Sequence, residues 1–354
     1  MPSPNSGATP RGGPGTGGGE GGEFAAIEAL RRRLPGPPAG EVWIGDDAAV
    51  LGPAEGRLLL TTDMAVAGVH ADLEVLSLAD LGWRAVAAAV SDIAAMGGRA
   101  GHAVVAVAGP PTTDLGLLYD GIAGCARAHG CPIVGGDLST AEEVVVAVAV
   151  IGHVATTPGP VRRAGAGADD TLFVTGPLGA AAAGLRVLRA RASGVRAGAA
   201  RAARTAGTGT AGAPRPGDEE ALVAAHRRPR ARLAEGEVAR LAGATAMVDV
   251  SDGLLADLGH VADASAVGFR LDEVPVAAGA TSEEALGGGE DYQLVVATPD
   301  PGGLLAAFAA AGLGLPVRIG RCTADRDERI LGGAPVPALG WEHAWRPPSA
   351  PEVV

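Results

Sequence analysis

Aromatic side chains make up only 3% of this chain although 47% of its residues are hydrophobic, and that imbalance limits what it can fold into. Alanine and glycine supply much of the apolar count, so the cores should consist of small and β-branched side chains packed closely. At 354 residues the chain is long for one such core, and two domains of ordinary size are expected. Short apolar runs at 58–62, 102–107, 144–150, 172–175, 246–250 and 293–297 read as strands. Between them lie Ala-rich helical patterns. Ser77-Leu78-Ala79-Asp80 is a capping box opening a helix that runs toward Met96 and stops at Gly97-Gly98, and Gly253 to Ala266 carries the apolar stripe of another. Pro158-Gly159-Pro160 marks the joint between domains expected at 23–157 and 158–346. Residues 1–22 are too rich in Gly and Pro to bury apolar surface and read as a disordered tail. Residues 189–217 lack a docking stripe and read as a surface insertion, and 347–354 as a loose end. The pattern is α/β or α+β.

Charge excludes several function classes. The net charge of −12 argues against nucleic-acid binding, which needs a basic face. All 28 basic residues are arginine. A P-loop lysine, a Schiff-base lysine and a lysine general base are therefore absent. Three cysteines without CxxC spacing form neither a disulfide framework nor a zinc pattern, which fits a reducing cytoplasm. No apolar run has the length of a membrane span, and the first residues lack a signal-peptide core, so a soluble intracellular protein without membrane partners is expected.

Carboxylates stand where a core pattern would not want them: Asp46/Asp47 after a strand, Asp63 ending LLLTTD, Asp92 in AAAVSDIAAMGG, Asp137 in PIVGGDLS, Asp249/Asp252 in VDVSDG, and Glu290/Asp291 in GGGEDYQL. Asp92 is the sharpest case, because its helical neighbours are apolar nearly all round and its carboxylate must face an interior or a cleft. A buried Asp bonded to a neighbouring loop would explain that position equally well. Capping would explain Asp252, though not Asp249 at the end of a buried strand. Each motif is weak alone. Together, strand-end carboxylates beside glycine turns in a lysine-free chain suit hard Mg²⁺ ions that bridge substrate phosphates. The run from Asp170 to Gly179 reads as a strand, a glycine turn and a helix start, a candidate phosphate cradle, with Arg162-Arg163 just upstream.

Taken in order and spacing, GDDAAVL, TTDMAVAGVH, AVSDIAAMGG, GGDLS, VTGPLG, HRRPRARL, VDVSDGLLADLGH and GGEDYQL resemble the thiamine-monophosphate kinase family over about residues 23–345, apart from the insertion. That family belongs to the aminoimidazole-ribonucleotide synthetase superfamily. The resemblance implies a two-domain aminoimidazole-ribonucleotide synthetase-like fold. Its N-terminal α/β domain would contribute strands to a dimeric β-barrel in a homodimer, followed by a C-terminal α+β domain. It further implies Mg²⁺-dependent transfer of the ATP γ-phosphoryl to thiamine monophosphate. Carried over motif by motif, it gives Mg²⁺ ligation to Asp47, Thr61, Thr62, Asp63, Asp92, Asp137, Asp249 and Asp252. ATP contacts fall to Tyr119, Gly136, Asp137, Arg163 and Ser251, and thiamine monophosphate to His70, Glu290 and Trp341. No general base stands out, and an ionised phosphate acceptor needs none.

The chain departs from the family pattern at Ala71, Thr140 and Gln293, which touches the substrate pocket more than the chemistry. Selenophosphate synthetase and the hydrogenase-maturation relative would need cysteines near the N-terminus or at the C-terminus, whereas the first and last here are Cys125 and Cys322. A non-catalytic Mg-nucleotide binding module is the alternative from a different class.

Overall fold

The computed structural model describes residues 23–38, 41, 43–44, 49, 51–52, 56–194, 217–337 and 339–341. The proposed tails and the carboxylates Asp46 and Asp47 lie outside the described residues, as do positions 195–216 of the insertion.

After α1 (Glu23–Arg31), the first half contains β1 (Arg57–Val66), α2 (Leu78–Ala95), β2 (Arg99–Gly109), α3 (Leu115–Ala128), β3 (Ile133–Thr140) and β4 (Val145–Val154). Its four strands form an open sheet in the order β1-β4-β2-β3. β4 runs antiparallel to both β1 and β2, while β2 and β3 are parallel and joined through α3. Among the described residues of one chain no barrel closes. Period-two alternation sorts the side chains of β1: Leu59, Thr61, Asp63 and Ala65 face the helices, and Leu58, Leu60, Thr62 and Met64 face away. Val104 and Ile151 continue the outward face, where Leu60 is 76% exposed.

The capping box forms at the start of α2, with the Ser77 hydroxyl accepting from the Asp80 N–H and the Asp80 carboxylate accepting from the Ser77 N–H. The helix packs on β1 and β4 on one side and on α6 (Leu233–Leu241) and β6 (Ala246–Asp249) of the second half on the other, which explains why it is apolar nearly all round. Small residues let it sit close. A Cβ on Gly121 of α3 would lie 1.8 Å from the Ala79 carbonyl oxygen, and one on Gly236 of α6 would lie 2.1 Å from that of Ala94.

The second half holds β5 (Thr171–Val174), α4 (Ala180–Ala192), α5 (Asp218–Arg227), α6 (Leu233–Leu241), β6 (Ala246–Asp249), α7 (Leu254–Ser265) and β7 (Gly268–Leu271). It ends with α8 (Ser282–Gly287), β8 (Leu294–Thr298), α9 (Pro301–Ala310), β9 (Val317–Thr323), β10 (Arg329–Leu331) and β11 (Ala334–Pro335). Its sheet has the order β11-β10-β7-β9-β5-β8-β6. Leu172, Val174, Val248 and Val295 pack under α7 on one face; Phe173, Met247, Leu294 and Val296 meet α9, α6 and the end of α2 on the other. α4 continues through Arg189–Ala192, the first residues expected to be loop, because Val187 and Leu188 seat its last turns against the first core.

Candidate active site

α2 carries the acidic motifs of both halves to one place. The Thr61 hydroxyl on β1 donates to the Asp92 carboxylate across 2.5 Å, and Ser91, one residue earlier on α2, donates to Asp249 at the end of β6 at 2.6 Å. The carboxylates act on each other. Burial raises Asp63 above the usual carboxylate range, and the charges of Asp92 and Asp252 raise it further, against a 2.6 Å bond from the Met64 N–H and the nearby His70. Burial also raises Asp92, opposed by the Thr61 bond and the Arg163 guanidinium. Asp249 is pushed up to about 6 by burial and then Asp92, despite the bond from Ser91. One exposed arginine facing so many carboxylates leaves an excess of negative charge that divalent cations would neutralise. Among the described residues no group of three or more His, Cys, Asp or Glu forms a ready metal cage. Oxygen ligands lining an open cleft suit Mg²⁺, which keeps waters and takes substrate phosphate oxygens to complete its shell.

The VDVSDG turn is held by a residue that sequence reasoning passed over. The Asp257 carboxylate accepts from the N–H groups of Ser251, Asp252 and Gly253 at 3.1, 3.1 and 3.0 Å, and in this way takes the capping role expected of Asp252. Its value rises to about 7, through burial and then the charges of Asp249 and Asp252. An acid in the first turn of a helix was the available signal. Trp341 stands at the rim, its N–H donating to the Asp252 carbonyl at 3.0 Å.

His70, Glu290 and a third unexpected residue form the adjoining wall. Arg84 on α2 is only 5% exposed; its guanidinium donates to the His70 carbonyl at 3.0 Å, to the His226 carbonyl at 2.6 Å and to the Glu290 carboxylate. Glu290 and Tyr292 adopt φ of 67° and 48°, sparsely populated for residues with side chains. Bonds from their N–H groups to Ser251 and Val250 hold the GGGEDYQL loop there. Buried Tyr292 is raised well above the usual phenol value by burial and then by Glu290, with Asp63 and Asp249 adding to it, which places it between the two walls.

Other expected residues lie apart. Thr62 and Asp137 face away from the helices. Asp137 is on β3, at the opposite edge of the sheet from Asp63, three strand spacings or roughly 14 Å away. A Cβ at Gly136 would stand 2.0 Å from the Val105 carbonyl oxygen, so the GGD motif, read as a turn, is a strand pressed against its neighbour. Tyr119 stands on α3 and points into the first core, where burial pushes its hydroxyl up to about 12. The phosphate cradle is corrected outright: Asp291 fills the start of α4, accepting from Gly179 at 2.5 Å and Ala181 at 2.9 Å, so the chain supplies its own anion. Of the departures, Ala71 is buried, Thr140 lines a cavity of about 440 Å³ at the ends of β2 and β3, and Gln293 accepts from the Thr175 hydroxyl at 2.9 Å.

Two domains, their sheets packed against one helix that brings their carboxylates together, have the AIR synthase-like architecture. Residues 45–154 match the family model of the AIR synthase related protein N-terminal domain, and 167–332 that of the C-terminal domain. The thiamine-monophosphate kinase of Mycobacterium tuberculosis is 35% identical over 296 residues, covering 79% of this chain and 81% of the relative. The crystal structure of thiamine-monophosphate kinase from Stenotrophomonas maltophilia K279a is similar with a TM-score of 0.71 and 31% identity, covering 89% of this chain and 98% of that one. AaThiL complexed with AMPPCP and TMP is similar with a TM-score of 0.67 and 29% identity, over 92% and 98%. The chain belongs to the thiamine-monophosphate kinase family.

Proposed function

We propose that this protein is a Mg²⁺-dependent kinase that transfers the γ-phosphoryl of ATP directly to thiamine monophosphate, giving thiamine diphosphate and ADP. The observation that carries the reading is the convergence of Asp63, Asp92 and Asp249 from both halves on one cleft, next to the His70–Arg84–Glu290 wall. Bound there, Mg²⁺ would neutralise phosphate charge as it shifts during transfer. Asp63, Asp92, Asp249, Asp252 and Thr61 are assigned as its ligands. Thr62 points its side chain away and would contribute through its main chain; Asp47 completes the proposed set. Arg163 and Ser251 would orient the nucleotide, while His70, Glu290 and Trp341 would hold the acceptor. Thiamine offers a cationic ring and an amino group for Glu290 to meet.

The bare apolar face of β1, β4 and β2 supports a homodimer in which two four-stranded sheets close into a barrel. Pairing β3 of one chain beside β1 of the other would bring Gly136 and Asp137 to the edge of the opposite sheet, while Tyr119 stays in the core of its own chain. Three buried free cysteines suit a cytoplasmic setting. No described helix is long and apolar enough to cross a membrane.

Incubation with Mg²⁺, ATP and either thiamine monophosphate or thiamine, followed by chromatography, tests the reading. Equal amounts of thiamine diphosphate and ADP from the phosphorylated acceptor are expected, with thiamine a poor substrate. Free phosphate without thiamine diphosphate, or equal use of thiamine, would refute it, and nucleotide binding without turnover would favour a binding module.

A further inference from the structure

Arg84 lies in neither the cation cleft nor any motif, yet it binds the two halves of the acceptor wall together. Burying a guanidinium costs several kcal/mol unless its donors are matched. Here they are: one terminal nitrogen serves the His226 carbonyl at 2.6 Å, and the other is shared by the His70 carbonyl at 3.0 Å and the Glu290 carboxylate. His70 follows β1 in the first half, whereas Glu290 and His226 belong to the second. The Glu290 side chain keeps 32% of its surface open although one oxygen is engaged by Arg84. A carboxylate anchored by one oxygen, with the other 4.0 Å from His226 Nδ1 and a third of the side chain open, is aimed. Its backbone, at φ 67°, lacks an intrinsic preference for that direction.

We propose that Arg84 is a positioning residue of the acceptor site: its buried guanidinium holds the Glu290 carboxylate and the His70 loop in register across the domain boundary, so that both meet thiamine monophosphate together. This rests on the kinase reading above. Loss of Arg84 releases the Glu290 side chain while the Glu290 N–H stays bonded to the Ser251 carbonyl, so the acceptor contacts are disturbed and the nucleotide contacts proposed at Arg163 and Ser251 are kept.

The test is steady-state kinetics of the wild type, Arg84→Lys, Arg84→Gln, Glu290→Gln and the Arg84→Gln/Glu290→Gln double variant, with KM measured separately for thiamine monophosphate and ATP. Arg84→Lys keeps the charge but not the fork, and should raise the acceptor KM about tenfold. The ATP KM should change by less than about twofold. Arg84→Gln should lose more, and the double variant should be no worse than the poorer single one, because both changes remove one interaction. Should Arg84→Gln not fold, the cycle is run with Arg84→Lys and Glu290→Asp. Wild-type turnover of thiamine monophosphate judges the kinase reading first, and its absence sinks both ideas. With an active wild type, a parallel rise of both KM values, or a double loss equal to the product of the single losses, overturns the role of Arg84 alone.

Discussion

Replacing Gly121 with alanine sets two effects of opposite sign against each other, and the structure decides between them. In a helix interior, Gly→Ala on its own stabilises by about 1 kcal/mol. At Gly121 the new methyl would lie 1.8 Å from the Ala79 carbonyl oxygen, 2.7 Å from the carbonyl carbon and 2.9 Å from Cα, all backbone atoms of α2. No rotamer change relieves that contact. Restoring an ordinary carbon–oxygen separation pushes α2 and α3 apart by roughly 1.5 Å, and overpacking of this kind costs about 1–3 kcal/mol or more. Set against the gain of about 1 kcal/mol, a net loss of up to about 2 kcal/mol is expected. Because α2 also carries Arg84, Ser91 and Asp92, the shift should disturb bonds as tight as the 2.5 Å contact of Thr61 with Asp92 and lower kcat/KM by at least about tenfold. Gly259→Ala on α7 is the internal control: nothing lies within 4 Å of its Cβ position, so it should gain up to about 1 kcal/mol. Urea unfolding followed by circular dichroism measures both. If Gly121→Ala were as stabilising as Gly259→Ala, the close helix contact described here would be wrong.

Asp63→Asn should fold normally, and without Mg²⁺ should be at least as stable as the wild type, since it removes a repelled carboxylate; turnover should fall by orders of magnitude, and wild-type rates at saturating Mg²⁺ would remove Asp63 from the ligand set. His226, held down to about 3 by burial and then by Arg84, is neutral in the folded protein but titrates near 6.5 when unfolded. Its contribution is therefore present above pH 6.5 and lost as pH falls toward about 3, so the stability difference between wild type and His226→Gln should shrink over that window by up to about 1.4 kcal/mol per pH unit, and a pH-independent difference would contradict it. Leu60→Asp on the bare sheet face should convert the proposed dimer to monomer in light scattering; an unchanged mass would place the subunit contact elsewhere.

Local signals were readable in the sequence and distant ones were not. The capping box at Ser77 and Asp80 is written in four consecutive residues and forms as expected. Asp92 could be read as facing an interior or a cleft because its helix is apolar nearly all round, and the reason for that pattern is that both sheets pack against α2. By contrast, Arg84 meets Glu290 across 206 positions, and no spacing rule points from one to the other. Asp291 was misjudged along with the helix start it fills: glycines before a helix announce an anion site, but not whether the anion belongs to a ligand or to the chain. The strand containing Gly136 was hidden for a related reason, since glycine there serves a close approach between strands and looks like a turn when read locally.

The backbone contacts of α2 also bear on entropy. Where Gly121 meets Ala79 and Gly236 meets Ala94, no rotamer has to be frozen to place one helix on another, because glycine and alanine have none to lose. The helix that carries Ser91 and Asp92 to their partners is spaced by main-chain dimensions, which neither side-chain hopping nor the trimming of a nearby methyl group can alter. A chain poor in aromatics can thus let its outer core drift toward ever smaller residues and still deliver its carboxylates to the same place.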